Sequence, residues 1–81
     1  MSDDVRDARA RQIAHDWSEL LGTSIGVDAD YRDAGGNSLA ALRMVGKIRE
    51  RFSAPITIAD LVTHVTPNAV AALVEERLER S

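Results

Sequence analysis

The sequence has no cysteine, which excludes disulfides and thiolate metal sites and gives no sign of an oxidising compartment. Aromatic residues are nearly absent as well. Trp17, Tyr31 and Phe52 are the whole set, so a core must be assembled from Leu, Ile, Val and Ala, which suits small helices. No apolar run approaches the ~20 residues that cross a bilayer, and the acidic N-terminal stretch has no apolar segment of the signal-peptide kind. The expectation is a cytoplasmic protein with no membrane partner. Positive charge is not in excess: 10 Lys and Arg stand against 13 Asp and Glu, for a net charge of −3. That balance argues against nucleic acid as the main partner. With 81 residues, the chain reads as one domain, 1–81, too short for a two-layer α/β enzyme.

What is present is helical periodicity. Between Val5 and Leu21, Ala10, Ile13, Ala14, Trp17, Leu20 and Leu21 recur at three- and four-residue spacings, one apolar face of an amphipathic helix. Arg6, Arg9, Arg11, Gln12, Asp16 and Glu19 fall mostly on the other sides, and Asp3 and Asp4 precede the segment, where negative charge suits a helix N-terminus. Gly22 supplies a C-terminal stop. Residues 23–37 form a long loop with Ile25, Val27 and Tyr31 as anchors. A second helix runs from Ser38 to Phe52 with Ala41, Val45, Ile48 and Phe52 inward, Leu42 and Met44 flanking, and a basic outer face of Arg43, Lys47, Arg49 and Arg51. Ser53-Ala54-Pro55 breaks it. Thr57-Ile58-Ala59-Asp60 reads as a capping box opening a helix of a turn or two that carries Ile58, Leu61 and Val62. Thr66-Pro67 is an N-cap followed by Pro at the first helical position. The last helix then extends to about Arg80, with Val70, Leu73, Val74 and Leu78 inward and Glu75, Glu76, Arg77 and Glu79 outward. The expected fold is all-α: a small four-helix bundle of three longer helices and one short one, with a long first loop.

The stretch with the most chemical content is Gly35-Gly36-Asn37-Ser38-Leu39. Asn37 and Ser38 are both good N-cap types, so Ser38 is expected at a loop-to-helix junction with its hydroxyl exposed. The plain reading is that Ser38 only caps the helix, and its loss would then cost ~1 kcal/mol. Asp28, Asp30 and Asp33 are spaced like part of a calcium loop, but the closing Glu and the flanking helix pair are missing, so no metal is expected. His15 and His64 are single histidines without a second ligand nearby in sequence.

In this order of helices and at this length, the chain resembles the carrier-protein family of acyl carrier and peptidyl carrier (thiolation) domains, and the resemblance extends from about Ile13 to Leu78. It is carried by Leu20-Leu21-Gly22, Asp28-Ala29-Asp30-Tyr31, Gly35-Gly36-Asn37-Ser38-Leu39, Arg49-Glu50-Arg51-Phe52, Ile56-Thr57-Ile58 and Leu61. The resemblance implies an acyl-carrier-like bundle and a covalent 4′-phosphopantetheine, taken from coenzyme A, on Ser38, flanked by Gly35, Gly36, Asn37 and Leu39. The thiol would come from that arm, in keeping with a chain without Cys. The double glycine is most like peptidyl carriers of nonribosomal peptide synthesis; acyl carriers of polyketide and fatty-acid systems, the alternative, typically read Gly-x-Asp-Ser-Leu. The implied partners are a phosphopantetheinyl transferase, an adenylation enzyme and condensation or tailoring enzymes, met by a monomeric carrier with no catalysis of its own. Leu39, Leu42, Arg43, Met44 and Lys47 are the expected docking residues, although Leu39 could equally be buried under the loop.

Two readings of other classes compete. Gly36-Asn37-Ser38-Leu39-Ala40 falls one residue short of a hydrolase nucleophile elbow, and that elbow needs a strand and a sheet which residues 28–37 do not offer. A small helical interaction or nucleic-acid module would explain the basic second helix but not the anchored loop or the double glycine. Met1 fits a free-standing protein and an excised domain equally.

Overall fold

The computed structural model describes residues 2–80. Four helices follow one another: α1 (Ser2–Leu21), α2 (Ser38–Phe52), α3 (Asp60–Thr63) and α4 (Pro67–Arg80), with no strand among the described residues. α1 begins at Ser2, so Asp3 and Asp4 lie within the helix rather than ahead of it. It packs against both α2 and α4.

The core follows the apolar stripes. Ala10, Ile13 and Trp17 of α1 form one cluster with Ala41, Met44, Val45 and Ile48 of α2 and Val70, Ala71, Leu73 and Val74 of α4, and Ala14 is buried as well. Ala54, Ile56 and Leu61, from the segment around α3, close the same cluster. Each fully buried Ile, Leu or Val contributes about 1.5–3 kcal/mol by leaving water. The indole Nε1 of Trp17 is buried with no acceptor among the described residues, so that ring is held by packing. Leu20, expected inward, is exposed at the end of its helix.

The helix ends are built as the sequence indicates. Gly22 has φ +71°, and its amide and that of Thr23 donate to the Ser18 carbonyl at 2.9 and 3.2 Å. Ser53 ends α2 in the left-handed region, with φ 55°, and its amide donates to the Arg49 carbonyl. The Thr66 hydroxyl accepts from the Ala69 amide at 3.1 Å, with Pro67 buried behind it. Only half of the expected capping box at Thr57 forms. The Asp60 carboxylate accepts from the Thr57 amide at 2.8 Å, but the Thr57 hydroxyl also donates to that carboxylate instead of capping.

Several charged residues expected on the solvent side lie between elements. Asp16 is only 4% exposed, because Arg51 of α2 reaches across and pairs with both its oxygens at 2.7 and 3.0 Å. Glu75 accepts from Arg6 at 2.8 Å, joining α4 to α1. Arg77 joins α4 to α3 through Asp60. Period alone places a residue on a face, but these faces meet another helix at their margins.

The long loop is tied down at four points. The Ile25 amide donates to the Ser18 hydroxyl at 2.9 Å, and the Val27 carbonyl accepts from the Asn68 amide at 2.9 Å. Asn68 also donates through its side chain to Asp28. The Tyr31 amide donates to the Val65 carbonyl at 3.1 Å, and its hydroxyl to the Leu61 carbonyl at 2.9 Å. The Tyr31 ring meets Trp17 edge-on, with centroids 5.5 Å apart. Ile25, Val27 and Tyr31 are therefore the anchors that their apolar character predicts.

Candidate functional site at the start of α2

Tyr31 begins the turn that delivers Ser38. Its carbonyl accepts from the amides of Ala34 at 3.2 Å and Gly36 at 2.9 Å, while the Arg32 carbonyl accepts from Gly35 at 3.3 Å. The two glycines answer different demands. Gly35 sits at φ +89°, where a side chain would strain the backbone. Gly36 lies against Tyr31 so closely that a Cβ there would collide with Tyr31 Cδ1 and stand 2.7 Å from its carbonyl oxygen.

Asn37 is the cap. Its backbone is extended (φ −119°, ψ −174°), its side-chain oxygen accepts from the Ala40 amide at 2.9 Å, and its carbonyl accepts from Ala41 at 2.8 Å. Ser38 is the first helical residue. The plain reading of Ser38 as the cap is thus corrected: Asn37 has taken that task. The Ser38 side chain is exposed, and its hydroxyl makes no hydrogen bond to another described residue. As the first residues of a helix, Ser38 and Leu39 have amides without an intrahelical acceptor, and the aligned peptide dipoles place positive potential there. An anion bonded through the Ser38 oxygen fits this end of the helix.

Beside Ser38 lies a groove of about 250 Å³ lined by Tyr31, Arg32, Gly36, Asn37, Ala41, Ile58 and Val62. Ile58 and Val62 are 45% and 71% exposed, so the segment at α3 presents two apolar side chains towards the start of α2. The sequence expectation of both in one short helix is corrected for Ile58, which lies in the turn just ahead of α3, and their sharing a groove with Ser38 is visible only in the fold. Arg32 is held by Asp30 through a bidentate contact, its Nε donating to Oδ1 at 3.0 Å and its Nη2 to Oδ2 at 2.6 Å. That guanidinium keeps the Asp30 carboxyl below the usual carboxylate range, and Asp30 in turn pushes Arg32 up.

Two aspartates of the loop are engaged with protein partners. Asp28 is engaged with Asn68 and Asp30 with Arg32, and no group of three or more His, Asp or Glu among the described residues could hold an ion. His15 faces Glu19 on the surface of α1, and His64 Nδ1 lies 3.0 Å from both the Asp60 carbonyl and the Thr63 hydroxyl. No histidine lines the groove at Ser38.

Of the expected docking residues, Leu39 and Leu42 are 59% and 56% exposed, so Leu39 is not buried under the loop, and Arg43 is exposed. Lys47 is half-buried, 3.9 Å from Glu50. Met44 is fully buried in the core cluster, so it is corrected from docking residue to core residue. The basic face is also smaller than the sequence suggests. Arg51 is spent on Asp16, and among the described residues Arg43 and Arg49 have no ion pair.

Residues 11–74 match the family described as Phosphopantetheine attachment site. The chain is 36% identical over 67 residues to AM-toxin synthetase AMT1 of Alternaria alternata, which covers 79% of this chain but only 2% of that much longer protein. Among solved structures it resembles BlmI, a type-II acyl-carrier-protein from Streptomyces verticillus involved in bleomycin biosynthesis, with a TM-score of 0.88 and 31% identity over 95% of this chain and 94% of that one. It also resembles the PaxA T1-CDD/PaxB NDD docking domain complex of the Pax NRPS, with a TM-score of 0.77 and 26% identity over 84% of this chain and 66% of that one. None of the helices described is long and apolar enough to cross a membrane.

Proposed function

The chain belongs to the phosphopantetheine attachment site family, and from that premise we propose that Ser38 takes the 4′-phosphopantetheine arm in a peptidyl carrier of the nonribosomal-peptide type. The observation that carries the assignment is local. Ser38 opens α2 with an exposed hydroxyl, while the neighbouring Asn37 does the capping. When bound, the arm supplies the thiol that holds an aminoacyl or peptidyl cargo as a thioester. The chain supplies the acceptor oxygen, uncommitted amides and a helix dipole that favour the phosphodiester charge, and a loop pinned through Tyr31 that keeps the serine at a fixed exposed point.

The protein in this reading is a non-catalytic, monomeric carrier. Its partners are a phosphopantetheinyl transferase, an adenylation enzyme and condensation or tailoring enzymes, with Leu39, Leu42 and Arg43 meeting them beside Ser38. The peptidyl branch is supported by the Gly35-Gly36 pair, by relatives whose names are those of nonribosomal peptide synthetases and by the likeness to the docking domain complex of the Pax NRPS. Its alternative, an acyl carrier of polyketide or fatty-acid type, draws on the likeness to a type-II acyl-carrier-protein.

The test is intact mass after incubation with coenzyme A and a transferase, with the modified residue mapped. Wild type gains one phosphopantetheine on Ser38, and Ser38→Ala gains none while keeping its stability within about 0.5 kcal/mol, since the cap is elsewhere. Modification of the Ser38→Ala chain would refute the assignment. The holo protein is then offered to an adenylation enzyme with a panel of amino acids and, separately, to a malonyl transferase. Malonyl loading without any aminoacyl loading would move it to the acyl branch.

A further inference from the structure

α3 is four residues long and too short to hold its own position by helical hydrogen bonds. Its buried anchor is Leu61, whose carbonyl receives the Tyr31 hydroxyl. Its other tie comes from α4. The Arg77 guanidinium donates to both oxygens of Asp60, at 2.9 and 3.1 Å, and to the Pro55 carbonyl at 3.0 Å. Asp60 gathers Thr57 through that residue's amide and hydroxyl. One arginine therefore fastens both ends of the segment 55–60 to α4, and Ile58 lies inside that segment. Ile58, just ahead of α3, and Val62 of α3 line the groove that holds Ser38, together with Ala41 of α2.

We propose that Arg77 is a positioning residue for the carrier reaction: through Asp60 it latches α3 so that Ile58 and Val62 form a fixed apolar wall beside Ser38. This rests on the reading of Ser38 as the attachment site. Arg77 does not line that groove; its bonds to Pro55 and Asp60 reach the groove through the segment that carries Ile58 and Val62. A planar fork is what the task requires, because a lysine ammonium cannot span a carboxylate and a carbonyl in the same way. With the latch open, α3 samples positions in which the wall is displaced, and a partner enzyme meets the correct surface for only a fraction of the time. Apparent affinity falls in proportion to that fraction.

The experiment compares wild type, Arg77→Ala, Asp60→Asn, their double variant and Arg77→Lys. In Arg77→Ala, amide hydrogen exchange should quicken at residues 57–63 while that of α1 and α2 is unchanged. The emission of Trp17, the sole tryptophan, should stay that of the native core. The transferase KM for the carrier should rise about three- to tenfold, with kcat within about twofold. Arg77→Lys should recover part of the loss. The double variant should be no worse than Arg77→Ala, as for two halves of one latch. Unchanged exchange at 57–63 would overturn the proposal, and so would an unchanged KM in a chain whose α3 has loosened. A Trp17 emission typical of unfolded protein in both single variants would also overturn it, because the pair would then support the whole fold. Failure of the Ser38 reading shows separately, as wild type that gains no arm.

Discussion

Gly36→Ala probes the contact that sets Ser38 in place. The added methyl would sit 2.7 Å from the Tyr31 carbonyl oxygen and overlap Cδ1 of its ring. Neither atom is the free end of a flexible chain: the ring is packed on Trp17, and its hydroxyl is bonded to Leu61. Relief requires that the turn open and that the 2.9 Å hydrogen bond from the Gly36 amide to the Tyr31 carbonyl lengthen. Overpacking of this kind costs about 1–3 kcal/mol, which for a domain of this size is a fall in melting temperature of roughly 4–8 °C per kcal/mol. Urea unfolding followed by Trp17 emission measures it, and the rate of phosphopantetheine transfer should fall as well, because Ser38 is displaced. Gly46→Ala is the control. Gly46 lies in the exposed interior of α2 with open space where a Cβ would go, so the same substitution should stabilise by about 0.5–1 kcal/mol. A Gly36→Ala protein as stable as wild type, with an unchanged transfer rate, would refute the reasoning.

Two further outcomes follow from the ion pairs. Arg51→Ala leaves the buried Asp16 carboxylate with only the 3.3 Å contact from Gln12. It should destabilise by about 1–3 kcal/mol in urea titrations, whereas Lys47→Ala, which breaks a 3.9 Å pair with the exposed Glu50, should change stability by less than about 0.5 kcal/mol. The hydrogen bonds from Arg77 hold the Asp60 carboxyl below its ordinary range, with help from Thr57 and against the effect of burial. A carboxyl depressed in the folded state contributes stability that is complete above its unfolded pKa, about 3.9, and is lost as pH falls through the lower folded value. Urea midpoints measured from pH 6 down to pH 3 should therefore fall less steeply in Arg77→Ala than in wild type.

Much of this protein was legible in the chain. The spacing of Ala10, Ile13, Ala14 and Trp17, the stop at Gly22, the break at Pro55 and the Thr66-Pro67 start depend on neighbours within a turn or two, and local physics suffices to read them. The serine at a loop-to-helix junction belongs to the same class. What needed the tertiary structure were the questions of which surface meets which. Asp16 and Arg51 are 35 residues apart and Asp60 and Arg77 are 17 apart, and nothing in the period of one helix shows that its polar edge faces a partner on another. The same holds for Met44, which flanks the expected stripe yet is buried in the tertiary core, and for Ile58 and Val62, which join Ser38 in one groove only because the fold brings the segment at α3 to the start of α2. The choice between Asn37 and Ser38 as cap was also left open, since both side chains can accept the bond. It was decided by the turn at Tyr31 and the two glycines, which fix where the extended residue ends and the helix begins.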